Sequence, residues 1–406
     1  DFDGVSWLEN SLPLVKCFIR QTRILEGRYS VVCTNPPYLN KYNTHLKKFV
    51  KDTYKDYSGD LFSVFMYRNF DFCIENGYCA FMTPFVWMFI KTYENLRQYI
   101  IENKSISTLV QMEYSAYEEA TVPICSFVLK NGAQTSKGLY FKLSDFKGGM
   151  QIQKEKVIEA LENKNCGYFY ESDENNFTKI PGMPIAYWFN DQIMDIYKNG
   201  TALGELAAPR KGNSTSDNNR FLRLWYEVAI DKINFKKTKI VLKESIDKRW
   251  YPYNKGGGYR KWYGYNEYII DWYNDAYEIR QIKSAVIANY QYFMKPGLTW
   301  STLSSKNFSI RWFDEGYIFD NGGCCIFDLE EKRRYVIALL NSNVFKFIFS
   351  QLNPTLNFQS GEVAKFPVIY KPDNQIDALA QHNVTLSKTE YDCFETSWDF
   401  KRHPLI

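Results

Sequence analysis

The apolar positions of the first third of the chain recur at helical spacing in some stretches and in short runs in others. This pattern predicts helices separated by strands. Asp60 is the predicted N-cap of the second helix and Thr92 that of the third. The predicted helices cover residues 1–28, 60–75 and 93–102, and the predicted strands cover 29–33, 78–83, 107–113 and 124–129.

Strands that alternate with helices of 10 to 15 residues indicate an open, doubly wound α/β sheet. The last two predicted strands are joined by a short link that carries residues 118–123. Such a link is too short for a crossover helix, so it predicts an antiparallel pair at one edge of the sheet.

The pattern changes after this region. Residues 133–202 have polar turns and charged stretches and predict a linker or helical bridge, which leaves residues 1–132 as the first domain. Residues 203–370 predict a second domain of mixed α+β type, with a helix at 335–352 and a strand-like tail at 357–367. Residues 371–406 are helical and polar in pattern and predict the start of a C-terminal helical region.

Composition narrows the class of protein. With 406 residues, 45% hydrophobic and 24% charged, the chain is long enough for two or three folded domains. The nine cysteines show no C-x-x-C pair and there are only three histidines, so neither a zinc site nor a disulfide framework is indicated. No apolar run approaches the roughly 20 residues needed to cross a bilayer, which favours a cytoplasmic protein. The net charge of +4 does not by itself indicate a nucleic-acid partner.

The chemistry is concentrated after the first predicted strand, where the sequence reads Asn35-Pro36-Pro37-Tyr38. Two consecutive prolines fix φ and lack N–H groups, so the strand must end in one rigid turn. That turn lies at the carboxyl end of the strand, where open α/β sheets bind ligands. The tetrad resembles the signature of methyltransferases that use S-adenosylmethionine to methylate amino groups, above all N6 of adenine in DNA. A turn that only caps the core is the alternative.

Adenine N6 is a poor nucleophile because its lone pair is delocalised into the ring. The Asn35 side-chain oxygen and the Pro36 carbonyl are suited to accept both amino protons, and Tyr38 to stack on a base flipped from the duplex. These residues, with Pro37, are the predicted catalytic set. Asn35, Asp60 and Phe62 are the predicted cofactor contacts. Asp60 and Phe62 lie at the start of a predicted helix, whose N-terminus favours the carboxylate of the cofactor. For Asp60 an N-cap role is equally supported.

A Gly-rich turn normally holds such a cofactor, and none precedes Asn35. The later cluster at residues 256–258 lies in an aromatic loop and does not have the form of a phosphate cradle. The chain also begins with Asp. We therefore expect the chain to be a fragment, with the main cofactor-binding segment upstream of residue 1.

Three loops of the predicted second domain combine basic, small polar and aromatic residues, at 209–221, 249–264 and 298–312. Arg and Lys bind phosphates, whereas Asn, Thr and Arg read base edges, so the clustering predicts a DNA-binding surface. For any one of these side chains, a solvated basic face is the simpler explanation. The predicted DNA-binding residues are Arg210, Lys211, Asn213, Thr215, Asn218, Arg220, Lys255, Arg260, Lys261, Trp262, Thr299 and Trp300.

Several longer stretches carry a family resemblance: VVCTNPPYLNKY, SGDLFSVFMYRNFDF, NRFLRLWYEV, RWYPYNKGGGYRKWYG, GLTWSTLSS, ALLNSNVFKFI and LSKTEYDCFETSWDFKRHPLI. They resemble the adenine-specific DNA methyltransferases of BREX phage-defence systems, the PglX family, over nearly the whole chain. The resemblance implies a class I (Rossmann-like) methyltransferase sheet, here only in part, followed by a target-recognition domain and further helical sequence after Ile406. The G-x-x-T-G-x-N loop of that family reads Gly212 to Asn218 here, with Ser216 in place of the second Gly.

The sequence thus predicts a site-specific DNA adenine N6 methyltransferase of a phage-defence or restriction-modification system. Its expected partners are S-adenosylmethionine, double-stranded DNA and other defence proteins, with no metal and no membrane. A DNA-recognition subunit without catalysis is the first alternative. Methylation of a protein glutamine or an RNA base is a weaker one.

Overall fold

The computed structural model describes residues 4–114, 116, 122–133, 136–235, 248–304, 307–352 and 357–406. The chain divides into two compact units, Asp1–Met194 and Asp195–Ile406. The sequence predicted a break near residue 132, followed by a separate bridge. The predicted link at residues 118–123 lies mostly outside the described residues, since only 122 and 123 are included.

The first unit is built on one sheet with helices packed beside it. Its helices are α1 (Gly4–Glu26), α2 (Thr44–Thr53), α3 (Leu61–Asn69), α4 (Glu94–Asn103) and α5 (Gly149–Glu162), and α6 (Asp191–Asn199) includes the boundary to the second unit. Its strands are β1 (Tyr29–Thr34), β2 (Cys73–Pro84), β3 (Ser105–Gln111), β4 (Ile124–Lys130), β5 (Gly138–Lys142) and β6 (Phe169–Ser172).

The six strands lie in the order β1-β2-β4-β3-β5-β6. β1 pairs parallel with β2, and β3 pairs parallel with β5. β4 is antiparallel to β3, as predicted, and is also antiparallel to β2. The pair is not at an edge, however, because β5 and β6 extend the sheet beyond β3. The α/β fold class is therefore confirmed, in the form of a mixed sheet.

Residues 133–202 are more than a bridge, because they supply β5, β6 and α5 to the first unit. A buried arginine also fixes the end of this stretch. Arg97 on α4 is 1% exposed and donates to the backbone carbonyls of Trp87, Ile90, Gly182 and Met183 at 2.6–3.0 Å. The carbonyls of residues 87 and 90 and those of residues 182 and 183 thus accept from the same guanidinium. This holds residues 182–183 against α4.

Two helix boundaries differ from the prediction. The helix after Asp60 ends at Asn69 and is followed by a short 3-10 turn and then by β2 from Cys73, within which Asn76 adopts a positive φ of 61°. Thr92 lies in a 3-10 turn and the N-cap of α4 is Tyr93, with no side-chain cap. The N-cap role of Asp60 is confirmed by its side-chain bond to the Phe62 N–H.

Within the first unit, the core is fully buried, whereas α1 and β1 leave apolar side chains exposed. Its core contains Phe62, Phe81, Trp87 and Phe127, each at most 2% exposed. By contrast, α1 leaves apolar side chains such as Phe18 and Leu25 exposed, and β1 leaves Val31 62% exposed. β1 is also an end strand of the sheet, so its outer edge has no strand partner within the described ranges.

The second unit holds many short strands. They are β7 (Thr201–Ala202), β8 (Ala208–Arg210), β9 (Leu222–Leu224), β10 (Trp250–Asn254), β11 (Tyr268–Asp271), β12 (Gly297–Trp300), β13 (Ile310–Phe313), β14 (Ile318–Phe319), β15 (Cys325–Phe327) and β16 (Pro367–Val368). They form two four-stranded sheets, β14-β10-β11-β9 and β13-β12-β15-β8, and the pair β16-β7. Rings from both larger sheets, including Tyr253, Phe319 and Phe327, share one core.

The helices of this unit are α7 (Leu203–Leu206), α8 (Asn218–Phe221), α9 (Tyr273–Arg280), α10 (Arg333–Asn341), α11 (Asn343–Leu352), α12 (Ser360–Ala364) and α13 (Asn374–Tyr391). The single helix predicted at 335–352 is two helices, because Ser342 leaves the helical conformation and its Oγ accepts the Phe345 N–H at 3.1 Å. The predicted tail at 357–367 contains α12 before the short strand β16. Within the predicted C-terminal region at 371–406, α13 covers Asn374–Tyr391.

Candidate active site and nucleic-acid interface

The loop after β1 presents polar groups on a constrained backbone. Asn35, Pro37 and Tyr38 are exposed while Pro36 is buried. No residue of this loop has a positive φ. The two prolines therefore end the strand without a strained conformation, and the Asn35 amide remains accessible.

Tyr38 bends back over this loop. Its hydroxyl lies 3.2 Å from both the Asn35 Oδ1 and the Met82 carbonyl oxygen and donates to one of them at a time. Its ring meets the Phe62 ring edge-on at 6.3 Å. The side chain is 37% exposed. The phenol hydroxyl thus contacts the oxygen predicted to accept an amino proton.

The far end of the loop is fixed to the start of α3. Asp60 Oδ1 accepts the Leu39 N–H at 2.9 Å and the Phe62 N–H at 3.3 Å. The Leu61 N–H in turn donates to the Leu39 carbonyl at 2.9 Å. Leu39 is therefore bonded through its N–H to the N-cap Asp60 and through its carbonyl to Leu61, the first residue of α3.

The three predicted cofactor contacts differ in accessibility. Asn35 is exposed, but Asp60 is 7% exposed and Phe62 is 1% exposed. Phe62 packs against Tyr93 in the core, with 5.2 Å between ring centroids. Of these three predicted contacts, only Asn35 is exposed.

Two phenols near the loop, those of Tyr42 and Tyr93, have raised pKa values. Burial raises the pKa of Tyr42 to about 12, and the Asp60 carboxylate adds to that rise. Burial and Asp60 likewise raise the pKa of Tyr93. Both phenols stay neutral at physiological pH. Within the described ranges, no three His, Cys, Asp or Glu side chains are placed to hold a metal ion.

The predicted DNA-binding residues of the second unit fall into several groups, and the first group is buried. Asn213 and Thr215 are each 1% exposed, Thr299 is 2% exposed and Trp300 is fully buried. The Trp300 indole N–H donates to the Phe358 carbonyl at 2.8 Å. These side chains pack inside the unit and do not form part of its surface.

The second group reaches the surface but is partly neutralised. Arg220 pairs with Glu278 at 2.8 Å, Lys255 with the buried Asp320 at 3.0 Å, and Arg260 with Glu390. Half-buried Lys261 donates to the Asn341 carbonyl, and burial lowers its pKa. Trp262 is half-buried, and its backbone bonds to β13.

Arg210 and Lys211 differ from those bases, because neither has a carboxylate partner in the described part of the chain. Arg210 stacks over the Tyr292 ring at 5.5 Å and donates to the Pro209 carbonyl. Lys211 is exposed, and its backbone carbonyl accepts from Asn289. Because no carboxylate of the described residues neutralises them, these two adjacent cations can attract a phosphate.

An open groove of about 440 Å³ lies beside β9. It brings together Asn218 and Lys255, which the sequence analysis selected, and Asn219, Arg223 and Tyr268, which it did not. Arg223 donates to the Asn219 and Leu222 carbonyls and has no carboxylate partner within the described ranges. Its position in the NRFLR stretch, three residues after Arg220, was the available sequence signal.

The loop from Gly212 to Asn218 carries a strained residue. Ser216 has a φ of 59°, in the left-handed region that favours glycine. This is the position at which the family resembled in sequence has its second Gly. Side chains close the loop, because Asn218 Oδ1 accepts from Thr215 at 2.7 Å.

No helix in the described parts of the chain is both long and apolar enough to cross a membrane.

Comparison with known proteins places this geometry in context. The family model for the Eco57I restriction-modification methylase matches residues 5–117, which include α1, the Asn35–Tyr38 loop and α3. The adenine-specific methyltransferase BrxX of Escherichia coli O9:H4 (strain HS) is 36% identical over 96% of this chain. The adenine-specific methyltransferase PglX of Lacticaseibacillus casei (strain Zhang) is 34% identical over 96%. The resemblance drawn from the sequence motifs is therefore confirmed.

The aligned region is only part of these relatives. This chain spans 32% of the length of the first and 33% of the second. Among solved structures, the type IIL restriction-modification enzyme MmeI in complex with DNA matches 91% of this chain and 50% of its own, with a TM-score of 0.55 at 14% identity. At that identity the match supports the fold alone.

Proposed function

We propose that the protein to which this chain belongs methylates N6 of adenine in DNA, and that the chain supplies the catalytic loop and part of the DNA-reading surface. One observation carries the proposal: an exposed Asn35 amide on a Pro-Pro turn, at the carboxyl end of a parallel strand, with both ends of the turn fixed. Relatives named as adenine-specific methyltransferases, aligned over 96% of the chain, support it.

The loop acts by hydrogen bonding and positioning. The Asn35 Oδ1 and the Pro36 carbonyl accept the two protons of the adenine amino group, which favours a pyramidal nitrogen with its lone pair free. Neither group has to be protonated as a base. The Tyr38 ring stacks on the flipped base after its hydroxyl has released Asn35.

S-adenosylmethionine supplies the methyl group when it is bound. Asn35 is the predicted contact whose side chain is exposed for it. Asp60 and Phe62 are buried and support the loop from Asn35 to Tyr38.

DNA binding is proposed for surface residues of the second unit. Arg210 and Lys211 contact phosphates, because they lack acidic partners in the described part of the chain. The groove of Asn218, Arg223 and Lys255 contacts the DNA beside them. Arg220 and Arg260 contribute less because each shares its charge with a glutamate. The proposed site of this activity is the cytoplasm. Other defence proteins are proposed as further partners there.

The test is methyl transfer by the full-length protein from labelled S-adenosylmethionine to duplex DNA. Asn35→Ala is expected to reduce kcat by at least about 100-fold, because the variant has no preorganised acceptor for transition-state charge. Its DNA affinity should stay within about twofold of the wild-type value. Asn40→Ala is the matched control, an exposed asparagine close to the same loop, and should retain activity. Equal rates in wild type and Asn35→Ala would rule out catalysis by this loop.

A second candidate is a DNA-recognition subunit that does not transfer methyl groups. The burial of two of the three predicted cofactor contacts favours it. Calorimetric titration of S-adenosylmethionine into the full-length protein separates the two functions. DNA binding without cofactor binding would support the recognition subunit.

A further inference from the structure

We propose that Asp60 is a positioning residue for the methyl-transfer loop, acting through the backbone of Leu39 and not through the cofactor. The inference rests on the proposed function, because it names what holds Asn35 and Tyr38 in place. A single oxygen, Oδ1, accepts both the Leu39 and Phe62 N–H groups. The carboxylate thus joins the loop to the helix N-terminus.

The loop is fixed at both of its ends. On one side, β1 pairs in parallel register with β2, with Cys33 opposite Ala80 and Thr34 opposite Phe81. On the other side, Leu39 is bonded through its N–H to Asp60 and through its carbonyl to Leu61. Only four residues lie between these anchors, and two of them are prolines with fixed φ. A displacement of Leu39 therefore moves the exposed amide and phenol directly.

The support beneath Asp60 is itself rigid. The Ser63 hydroxyl lies 2.6 Å from both the Tyr57 and Asp60 carbonyl oxygens, and the Asp60 N–H points to Ser63 Oγ. Gly59 packs so closely that a Cβ there would lie 2.5 Å from the Thr92 methyl carbon. The turn before α3 therefore packs directly against the 3-10 turn at Lys91–Tyr93, so Leu39 is bonded to a well-supported point.

This geometry separates position from charge. Asparagine keeps an oxygen at the same distance from the backbone and can accept both N–H groups. Glutamate keeps the negative charge but moves its oxygens by one methylene. If Asp60 contacts the cofactor through its charge, glutamate should be tolerated better than asparagine. If Asp60 positions Leu39 through hydrogen bonds, asparagine should be tolerated better than glutamate.

The experiment measures kcat, the KM for S-adenosylmethionine and amide hydrogen exchange at Leu39 in the full-length protein. The variants are Asp60→Asn, Asp60→Glu and Asp60→Ala. Asp373→Ala is the matched control, because Asp373 also accepts two backbone N–H groups, at the start of α13. We expect Asp60→Ala and Asp60→Glu to lower kcat by about 100-fold, the effect of a misplacement of about 1 Å.

In the same variants the cofactor KM should change by less than about threefold, and exchange at Leu39 should accelerate. Asp60→Asn should restore kcat to within about threefold of wild type, and Asp373→Ala should leave it unchanged. A raised cofactor KM, or activity that glutamate retains and asparagine abolishes, would overturn the inference and leave the proposed function standing. A wild-type protein that transfers no methyl group would end both.

Discussion

From its sequence, the loop from Asn35 to Tyr38 was predicted to contact the adenine, and the loop from Gly212 to Asn218 was predicted to contact DNA. The two loops differ in how they use their polar side chains. The loop from Asn35 to Tyr38 exposes its amide and phenol on a backbone fixed at both ends. The loop from Gly212 to Asn218 buries Asn213 and Thr215 and includes the left-handed Ser216. In the first loop the backbone is restrained and the side chains are available. In the second, the Thr215 side chain holds the backbone, since its hydroxyl accepts the Asp217 N–H at 3.2 Å.

The difference shows what a short polar stretch can and cannot predict. Two prolines specify backbone geometry, so the direction of their neighbours follows from covalent structure. Small polar residues such as Ser, Thr and Asn specify no such geometry, because they also bond to their own backbone. Their residue types are compatible with DNA binding, but their exposure is decided by tertiary packing.

The largest expected effect concerns a buried residue of the predicted DNA-binding set. Trp300→Ala should lower the free energy of unfolding by about 3–5 kcal/mol, because it leaves a cavity and frees the Phe358 carbonyl. Tyr38→Ala should cost under about 1 kcal/mol, since that side chain is partly exposed. Urea unfolding followed by fluorescence measures both. A Trp300→Ala variant that is fully stable but no longer binds DNA would instead make Trp300 a direct DNA contact.

An intermediate effect is expected at the two cations that lack acidic partners in the described ranges. The double variant Arg210→Ala, Lys211→Ala should weaken DNA binding uniformly across sequences. It should also reduce the slope of log K against log salt by about 0.9 for each phosphate that the variant no longer neutralises. The matched control is Lys401→Ala, Arg402→Ala, which removes the same charge from another exposed pair. Equal slopes in the two double variants would place phosphate binding elsewhere.

The smallest effect is expected at Ser216. Ser216→Gly relieves a left-handed backbone but gives the unfolded chain more freedom, so the gain in stability should not exceed about 1 kcal/mol. The same change should leave DNA affinity within about twofold of wild type. Thermal unfolding measures the first quantity and a binding titration the second. A decrease in stability would show that the Ser216 side chain stabilises the loop by more than its backbone strain costs.

Much of the first unit could be predicted from sequence because its signals are local. The N-cap Asp60, the strand before Asn35 and the antiparallel pair β3 and β4 follow from residue type and period. The contribution of β5 and β6 could not be predicted, since it depends on pairing between segments distant in sequence, such as Leu109 of β3 opposite Tyr140 of β5. The groove residue Arg223 was missed for the same reason, because the groove brings it together with residues from separate strands.

The outer edge of β1 has a practical consequence for handling this chain. Among the described residues this edge has no strand partner and carries the exposed Val31, so it is a template on which a further strand can add. In concentrated solution, that edge makes aggregation a competing outcome of folding. Solubility of the isolated chain will therefore depend more on how β1 is covered than on the stability of the core behind it.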